Sequence, residues 1–269
     1  MCETCGCAIP DHLHHAVDTQ QLQTVEVLEG LKAHNDRAAS HNRHHFDTAG
    51  VLVINLMSSP GAGKTSLLEA TIDALKSNYR IAVIEGDLET ENDAARIRAK
   101  GVPAVQISTG SACHLDADMV HRAVHELSLA DIDILFIENV GNLVCPASFD
   151  LGQHLNIALL STPEGDDKPL KYPVMFRACD LILVTKTDLL AVLDDFSCTA
   201  VSEHIRQLAN PAPVFTLSSR RNDIAPWLDW LDTQHKKQRT PGFKPMADGA
   251  RPRLAPHQNM ANPLAASHT

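Results

Sequence analysis

Ser58-Ser59-Pro60-Gly61-Ala62-Gly63-Lys64-Thr65 directly follows the apolar stretch at residues 51–57. A Gly-rich turn between a strand and a helix aims several backbone N–H groups at one point. The helix dipole adds partial positive charge there, so polyphosphate is the ligand such a turn holds. Lys64 is placed to reach the β and γ phosphates, and Thr65 to put its hydroxyl on Mg²⁺. Ser59, Pro60, Gly61, Ala62, Gly63 and Ser66 complete the phosphate-binding set. Ser58 occupies the first position of GxxxxGK[ST], where the pattern has Gly. Serine tolerates φ > 0 less well, so the turn is expected to differ slightly at that end.

A second motif, Thr185-Lys186-Thr187-Asp188, follows the apolar run at 181–184. It resembles the guanine-reading NKxD pattern. A carboxylate at Asp188 accepts from both the ring N–H and the exocyclic amine of guanine, a donor pair that adenine lacks. The stem of Lys186 is expected to lie over the base. Thr185 replaces the Asn of the pattern, which removes an amide and predicts weaker guanine binding. Ser218, after the apolar residues 214–217, is expected to support the same base. Asp87 and Glu138 each end a predicted strand. Acidic residues at such strand ends face the ligand crevice, where they hold Mg²⁺ or its waters and position an attacking water. Lys64, Asp87 and Glu138 are therefore the catalytic candidates, and Thr65, Asp87 and Glu138 the Mg²⁺ candidates. Gly141, just beyond, is expected to approach the γ-phosphate as a switch.

Two groups of soft ligands stand apart from these oxygens. Cys2, Cys5 and Cys7 place three thiols within six residues. Removal of Met1 would add the α-amine of Cys2, and such a set suits tetrahedral Zn²⁺ or square-planar Ni²⁺. Cys113 and His114 are adjacent, and Cys145 lies four residues past Gly141. A ligand on a nucleotide-sensing loop would let the nucleotide alter metal affinity. Water or a second subunit would have to complete that three-ligand shell. Seven of the 15 histidines precede residue 50. His12, His14 and His15 read equally as weak metal ligands or as a polar tail, and His34, His41, His44 and His45 as the solvated face of a helix. Cys179 and Cys198 read as structural.

The elements that must position these groups are legible as alternation. Short apolar runs at 51–57, 81–85, 104–107, 132–137, 156–161, 180–185 and 213–217 read as strands buried on both faces. Helical patterns at 65–77, 91–99, 115–127, 199–209 and 223–232 separate most of them. This predicts an α/β fold: a doubly wound, mostly parallel sheet. Leu22, Val25, Leu28 and Leu31 predict an amphipathic helix over 19–47, packed on the main domain. The organisation is then a Cys/His metal-binding tail and helix (1–49), a nucleotide-binding domain (50–233) and a Pro-rich disordered tail (234–269). A net charge of −10 over 269 residues argues against nucleic acid or an anionic membrane as partner. An odd cysteine count, with neither a signal peptide nor a membrane span evident, predicts a cytoplasmic protein.

Taken together, the segments CETCGC, SSPGAGKTSLLE, IEGDLETENDAARI, CHLDADM, ILFIENVGNLVCPASFDLG, EGDDKPLKYPVMF and TKTDLL resemble the HypB family of hydrogenase-maturation GTPases, within the SIMIBI class of P-loop proteins. The resemblance covers residues 1–7 and about 50–232. It implies a dimeric, slow GTPase that binds GTP and Mg²⁺ and inserts nickel. It also implies a high-affinity Ni²⁺ site at Cys2, Cys5 and Cys7, and a weaker Ni²⁺ or Zn²⁺ site at Cys113, His114 and Cys145 near the dimer interface. The implied partners are a HypA-type zinc-containing accessory protein, in some bacteria a nickel-binding prolyl isomerase, and the large subunit of a [NiFe]-hydrogenase as target. A rival from another class is a nickel store, in which the histidines are the function. Seven N-terminal histidines spread over more than 30 residues are few for that role.

Overall fold

The computed structural model describes residues 19–87, 91–110 and 112–239, with side chains from residue 30 onward. Cys2, Cys5, Cys7, His12, His14 and His15 lie outside the described residues, as does the segment 240–269.

Among the described residues seven strands form one sheet: β1 (Leu52–Ser58), β2 (Ile81–Asp87), β3 (Ala104–Ser108), β4 (Ile134–Glu138), β5 (Leu155–Ser161), β6 (Leu181–Thr185) and β7 (Val214–Thr216). Their order is β3-β2-β4-β1-β5-β6-β7, and every neighbouring pair is parallel. The helices are α1 (Thr19–Ala49), α2 (Lys64–Leu75), α3 (Asn92–Ala99), α4 (Ala117–Val124), α5 (Lys168–Lys171), α6 (Pro173–Arg177), α7 (Cys198–Gln207) and α8 (Ala225–Gln238). All seven expected strands and the expected interleaved helices are present.

Side-chain parity sorts the core into two faces, because successive strand residues point to opposite sides. Leu52, Ile54 and Leu56 of β1 meet Leu67, Leu68 and Ile72 of α2 and Trp227 of α8. Val53 faces the other way, with Phe46 of α1 and Val120 of α4. Farther along that face Leu160 and Val184 pack on Phe176 and Val201. Helices on both faces explain why the strands read as unbroken apolar runs.

α1 docks as expected but with different residues. Leu31, part of the expected apolar stripe, is 61% exposed. The buried contacts come instead from Asn35, Ala39, Asn42 and Phe46. Asn35 donates to the Asp150 carbonyl (2.8 Å) and accepts from Ala117 N–H (2.9 Å). Asn42 donates to the carbonyls of Ala117 (2.8 Å) and Leu151 (3.1 Å). A polar stripe can bury here because its amides are paired with backbone: the Ala117 N–H, which the first turn of α4 leaves without an intrahelical acceptor, and carbonyls of residues 117, 150 and 151.

The expected boundary at 233 is also moved. α8 continues to Gln238 because its last turns are anchored. His235 is buried edge-on against Tyr79, with ring centroids 4.7 Å apart, and the Gln238 amide reaches His154 at 2.8 Å.

Candidate functional site

The phosphate loop leaves β1, the central strand, and enters α2 through Gly63 at φ 99°, a left-handed conformation that glycine adopts without strain. Gly61 is also left-handed, at φ 74°. Ser58 is the last residue of β1 and is not among the residues with positive φ. Position one of the motif therefore needs no glycine here, contrary to the expectation of an altered turn. The Ser58 hydroxyl instead accepts from the Lys64 ammonium at 3.1 Å. Ser59 donates to Glu164, whose carboxylate also accepts from Ser161 N–H (2.9 Å) and Oγ (2.6 Å). Glu164 thereby ties the loop to the end of β5.

Glu138 ends β4 directly beneath this loop. Its Oε1 accepts from Thr65 Oγ1 at 2.9 Å and lies 4.0 Å from Lys64 Nζ. Glu85 on β2 is its register partner. Carboxylate oxygens of Glu85, Asp93 and Glu138 all lie within 4.8 Å of one another. Burial, and then the Glu138 charge, push the Glu85 carboxyl far above the usual carboxylate range. Burial also raises Glu138, opposed by the Lys64 charge. Oε2 of each carboxylate is buried without a hydrogen-bond partner. A hydroxyl and orphaned carboxylate oxygens at a helix N-terminus are the donor set of a hard divalent cation, so these residues fit Mg²⁺. Asp87 lies two residues beyond Glu85 at the C-terminal end of the same strand.

The loop expected to read the base leaves β6. Lys186 is left-handed (φ 57°) and its ammonium donates to the Gly61 carbonyl at 2.6 Å. Thr185 is buried, and its hydroxyl donates to the Ala62 carbonyl at 2.7 Å. Thr185 thus holds the phosphate loop against the base loop. Asp188 Oδ1 accepts from Ser218 Oγ at 2.6 Å, a bond that holds the Asp188 carboxyl below its ordinary range. Ser218 therefore orients Asp188.

The soft-ligand site is built on the segments that follow β3 and β4. Cys113 Sγ is 2.9 Å from Cys145 Sγ and 3.8 Å from His114 Nδ1, and ligand atoms of all three lie within 4.8 Å of one another. Burial lowers the His114 pKa, leaving a neutral imidazole. The ring stacks on Phe149 with centroids 3.9 Å apart. Two thiols and a neutral imidazole suit a borderline or soft ion.

A short segment joins the two sites. A Cβ on Gly141 would meet Pro60 Cα at 2.8 Å, so the backbone after β4 lies directly on the phosphate loop. The next residue, Asn142, donates to the Cys113 carbonyl at 3.3 Å. Asn139 ties the same segment inward, accepting from Leu115 N–H at 3.2 Å and donating to Asn55 at 3.2 Å. Cys179 is buried and donates to the Met175 carbonyl, in keeping with its structural reading.

Sequence reasoning brought Thr65, Glu138, Lys186, Asp188, Ser218, Cys113, His114 and Cys145 to these places. It missed Glu85, Asp93, Glu164, Asn139 and Asn142. Glu85 carried a visible signal, a carboxylate inside the otherwise apolar strand IAVIEGD. The others act through contacts distant in sequence.

A parallel sheet with a phosphate loop after its central strand, and a Lys/Asp loop two strands away, defines a P-loop nucleotide-binding protein. Residues 52–216 match the CobW/HypB/UreG nucleotide-binding domain family. The chain belongs to that family, within the hydrogenase maturation factor HypB group. It is 50% identical to the HypB of Azotobacter chroococcum over 221 residues, covering 82% of this chain and 72% of that one. It is likewise 50% identical to HypB of Escherichia coli K12 over 224 residues, 82% and 76% of the two chains. The crystal structure of HypB from Helicobacter pylori in complex with nickel superposes with a TM-score of 0.73 at 42% identity, covering 78% of this chain and 99% of that one. HypB from Archaeoglobus fulgidus gives 0.70 at 35% identity, covering 76% and 99%.

Proposed function

We propose that this chain is a cytoplasmic, GTP-hydrolysing nickel metallochaperone that delivers Ni²⁺ to the large subunit of a [NiFe]-hydrogenase. In this reading the backbone of residues 59–66 and Lys64 bind the β and γ phosphates. Asp188, held by Ser218, selects guanine, and Lys186 covers the base. Thr65, Asp87 and Glu138 hold Mg²⁺, which when bound neutralises charge developing on the phosphates. Glu138 and Asp87 also orient the attacking water. Turnover is slow, because neither an arginine finger nor a catalytic glutamine is evident in the switch motif.

Ni²⁺ is taken first by Cys2, Cys5 and Cys7. It reaches Cys113, His114 and Cys145, which bind Ni²⁺ or Zn²⁺ in a homodimer whose second copy completes the shell. Val144, beside Cys145, is 58% exposed, which supports a partner surface there. A HypA-type accessory protein, and in some bacteria a nickel-binding prolyl isomerase, share the transfer. Residues 1–49 serve as the metal-binding tail and docking helix, and residues 50–238, to the end of α8, as the G domain.

The observation that carries this reading is the Pro60–Gly141–Asn142–Cys113 chain of contacts. A γ-phosphate that moves residue 141 also moves a metal ligand. The nickel complex of the related H. pylori protein supports nickel as the cargo. The test is the nickel content of the hydrogenase large subunit in cells whose sole copy carries Lys64→Ala or Cys113→Ala. Both are expected to leave it nickel-free. A fully loaded large subunit in the Lys64→Ala strain would refute a GTP-dependent carrier.

A further inference from the structure

The histidines of α1, which read as a solvated face, meet a second set on α4. His41 and His45 are one helical turn apart on α1, and His121 and His125 are one turn apart at the end of α4. Each i,i+4 pair brings its Nε2 atoms together, at 3.2 Å for His45 and His41 and 3.1 Å for His125 and His121. Two imidazole nitrogens about 2.0–2.1 Å from one ion stand roughly 2.9–3.4 Å apart, for square or tetrahedral angles respectively. Both pairs therefore already have ligand spacing. The i,i+4 His pair on one helix face is itself a recurrent zinc-binding arrangement.

The pairs also face each other. Ring centroids are 5.1 Å apart for His41 and His121, and 6.0 Å for His45 and His121. His121 is aimed by its Nδ1, which pairs with the buried Asn42 Oδ1 at 2.9 Å and leaves Nε2 for the cluster. Burial and the neighbouring imidazoles lower the pKa of both His45 and His121, with Asp118 opposing at His121. Those two shifts favour the neutral ring, the form in which imidazole binds a metal. As placed, no three of the four offer ring nitrogens within 4.8 Å of one another; His41, His45 and His125 are exposed, so a change between staggered rotamers would be needed to bring the two pairs onto one centre.

We propose that the α1–α4 seam is a third metal site, in which His41, His45, His121 and His125 bind one borderline divalent transition-metal ion of the Ni²⁺ or Zn²⁺ kind. α4 begins three residues after His114, so this all-nitrogen site lies on the helix that leads away from Cys113 and His114. Four neutral imidazoles hold such an ion less tightly than thiolates do. The site therefore suits transient holding, and it clamps α1 to the domain when filled. It involves none of the nucleotide ligands and stands independently of the proposed activity.

The test uses the full chain with Cys2, Cys5, Cys7, Cys113 and Cys145 changed to Ser, so that only nitrogen and oxygen ligands remain. Ni²⁺, and separately Zn²⁺, are titrated calorimetrically, with His41→Gln and His125→Gln introduced one at a time. Neither substitution touches the Asn42–His121 bond, so the fold is preserved, and circular dichroism verifies it. Each variant, although on a different helix, is expected to weaken the same site by about tenfold or more. A control with His12, His14 and His15 changed to Gln should leave that site intact. If either single variant binds as tightly as the parent, or only the tail variant loses the ion, the four-histidine site is wrong.

Discussion

Lys64 donates to Ser58 and lies 4.0 Å from Glu138, so the ends of β1 and β4 hold its ammonium. Lys64→Ala is expected to reduce GTP hydrolysis by roughly a hundredfold or more, while metal binding at Cys113 persists; phosphate release and metal titration on one preparation check both halves. In the proposed reading of guanine by Asp188, Asp188→Asn replaces a carboxylate acceptor with an amide. Guanine-nucleotide affinity should fall by about tenfold or more, while the melting temperature stays unchanged, because the side chain is solvent-accessible. Glu85 makes a pH prediction. Its folded pKa lies above its unfolded value, so above the ordinary carboxylate range the folded state binds the extra proton and stability falls as pH rises. Between pH 7 and 9, beyond the histidine titrations, metal-free protein should lose up to about 1.4 kcal/mol per pH unit through this group. Glu85→Gln should remove that slope, as urea melts of the two proteins across the range would reveal. A slope identical in both proteins would mean that Glu85 is not the group holding the proton.

At the scale of elements, the segment after β4 and the docking face of α1 carry the argument. Gly141→Ala forces a methyl against Pro60 Cα, and the phosphate loop must shift. A loss in nucleotide affinity on the order of tenfold is expected, measurable by fluorescent-nucleotide displacement. Asn42→Ala leaves the carbonyls of Ala117 and Leu151 without this donor and should cost about 1–3 kcal/mol, read by chemical denaturation. The strands and the phosphate loop were legible in the sequence because each is a local pattern, apolar runs with Gly and Lys at fixed spacing. The docking of α1 was not, since a stripe of Asn buries only where backbone groups await it, and those groups lie at residues 117, 150 and 151. The contact of Thr185 was not legible either, since its hydroxyl serves the Ala62 carbonyl, 123 residues away in the chain. α8 overran its expected end because His235 and Gln238 are polar in the sequence and become anchors only against Tyr79 and His154.

On the scale of the whole molecule, one sheet sets two chemistries side by side. Oxygen ligands gather under the phosphate loop at the ends of β2 and β4. Sulfur and nitrogen ligands follow farther along the chain, Cys113 and His114 after β3 and Cys145 after β4, on loops brought together by the β3-β2-β4-β1 order of the sheet. No helix among the described residues is long and apolar enough to cross a membrane, and the net charge of −10 favours cationic cargo over nucleic acid. The central claim is that nucleotide state and metal affinity are coupled through Gly141 and Asn142. Coupling of this kind is reciprocal and amounts typically to about fivefold or more. The most direct measurement is the Ni²⁺ affinity of the chain with Cys2, Cys5 and Cys7 changed to Ser, taken with GDP and again with a non-hydrolysable GTP analogue. The account predicts affinities that differ by about that factor, with the difference abolished in Asn142→Ala. Equal affinities in the two nucleotide states would contradict it.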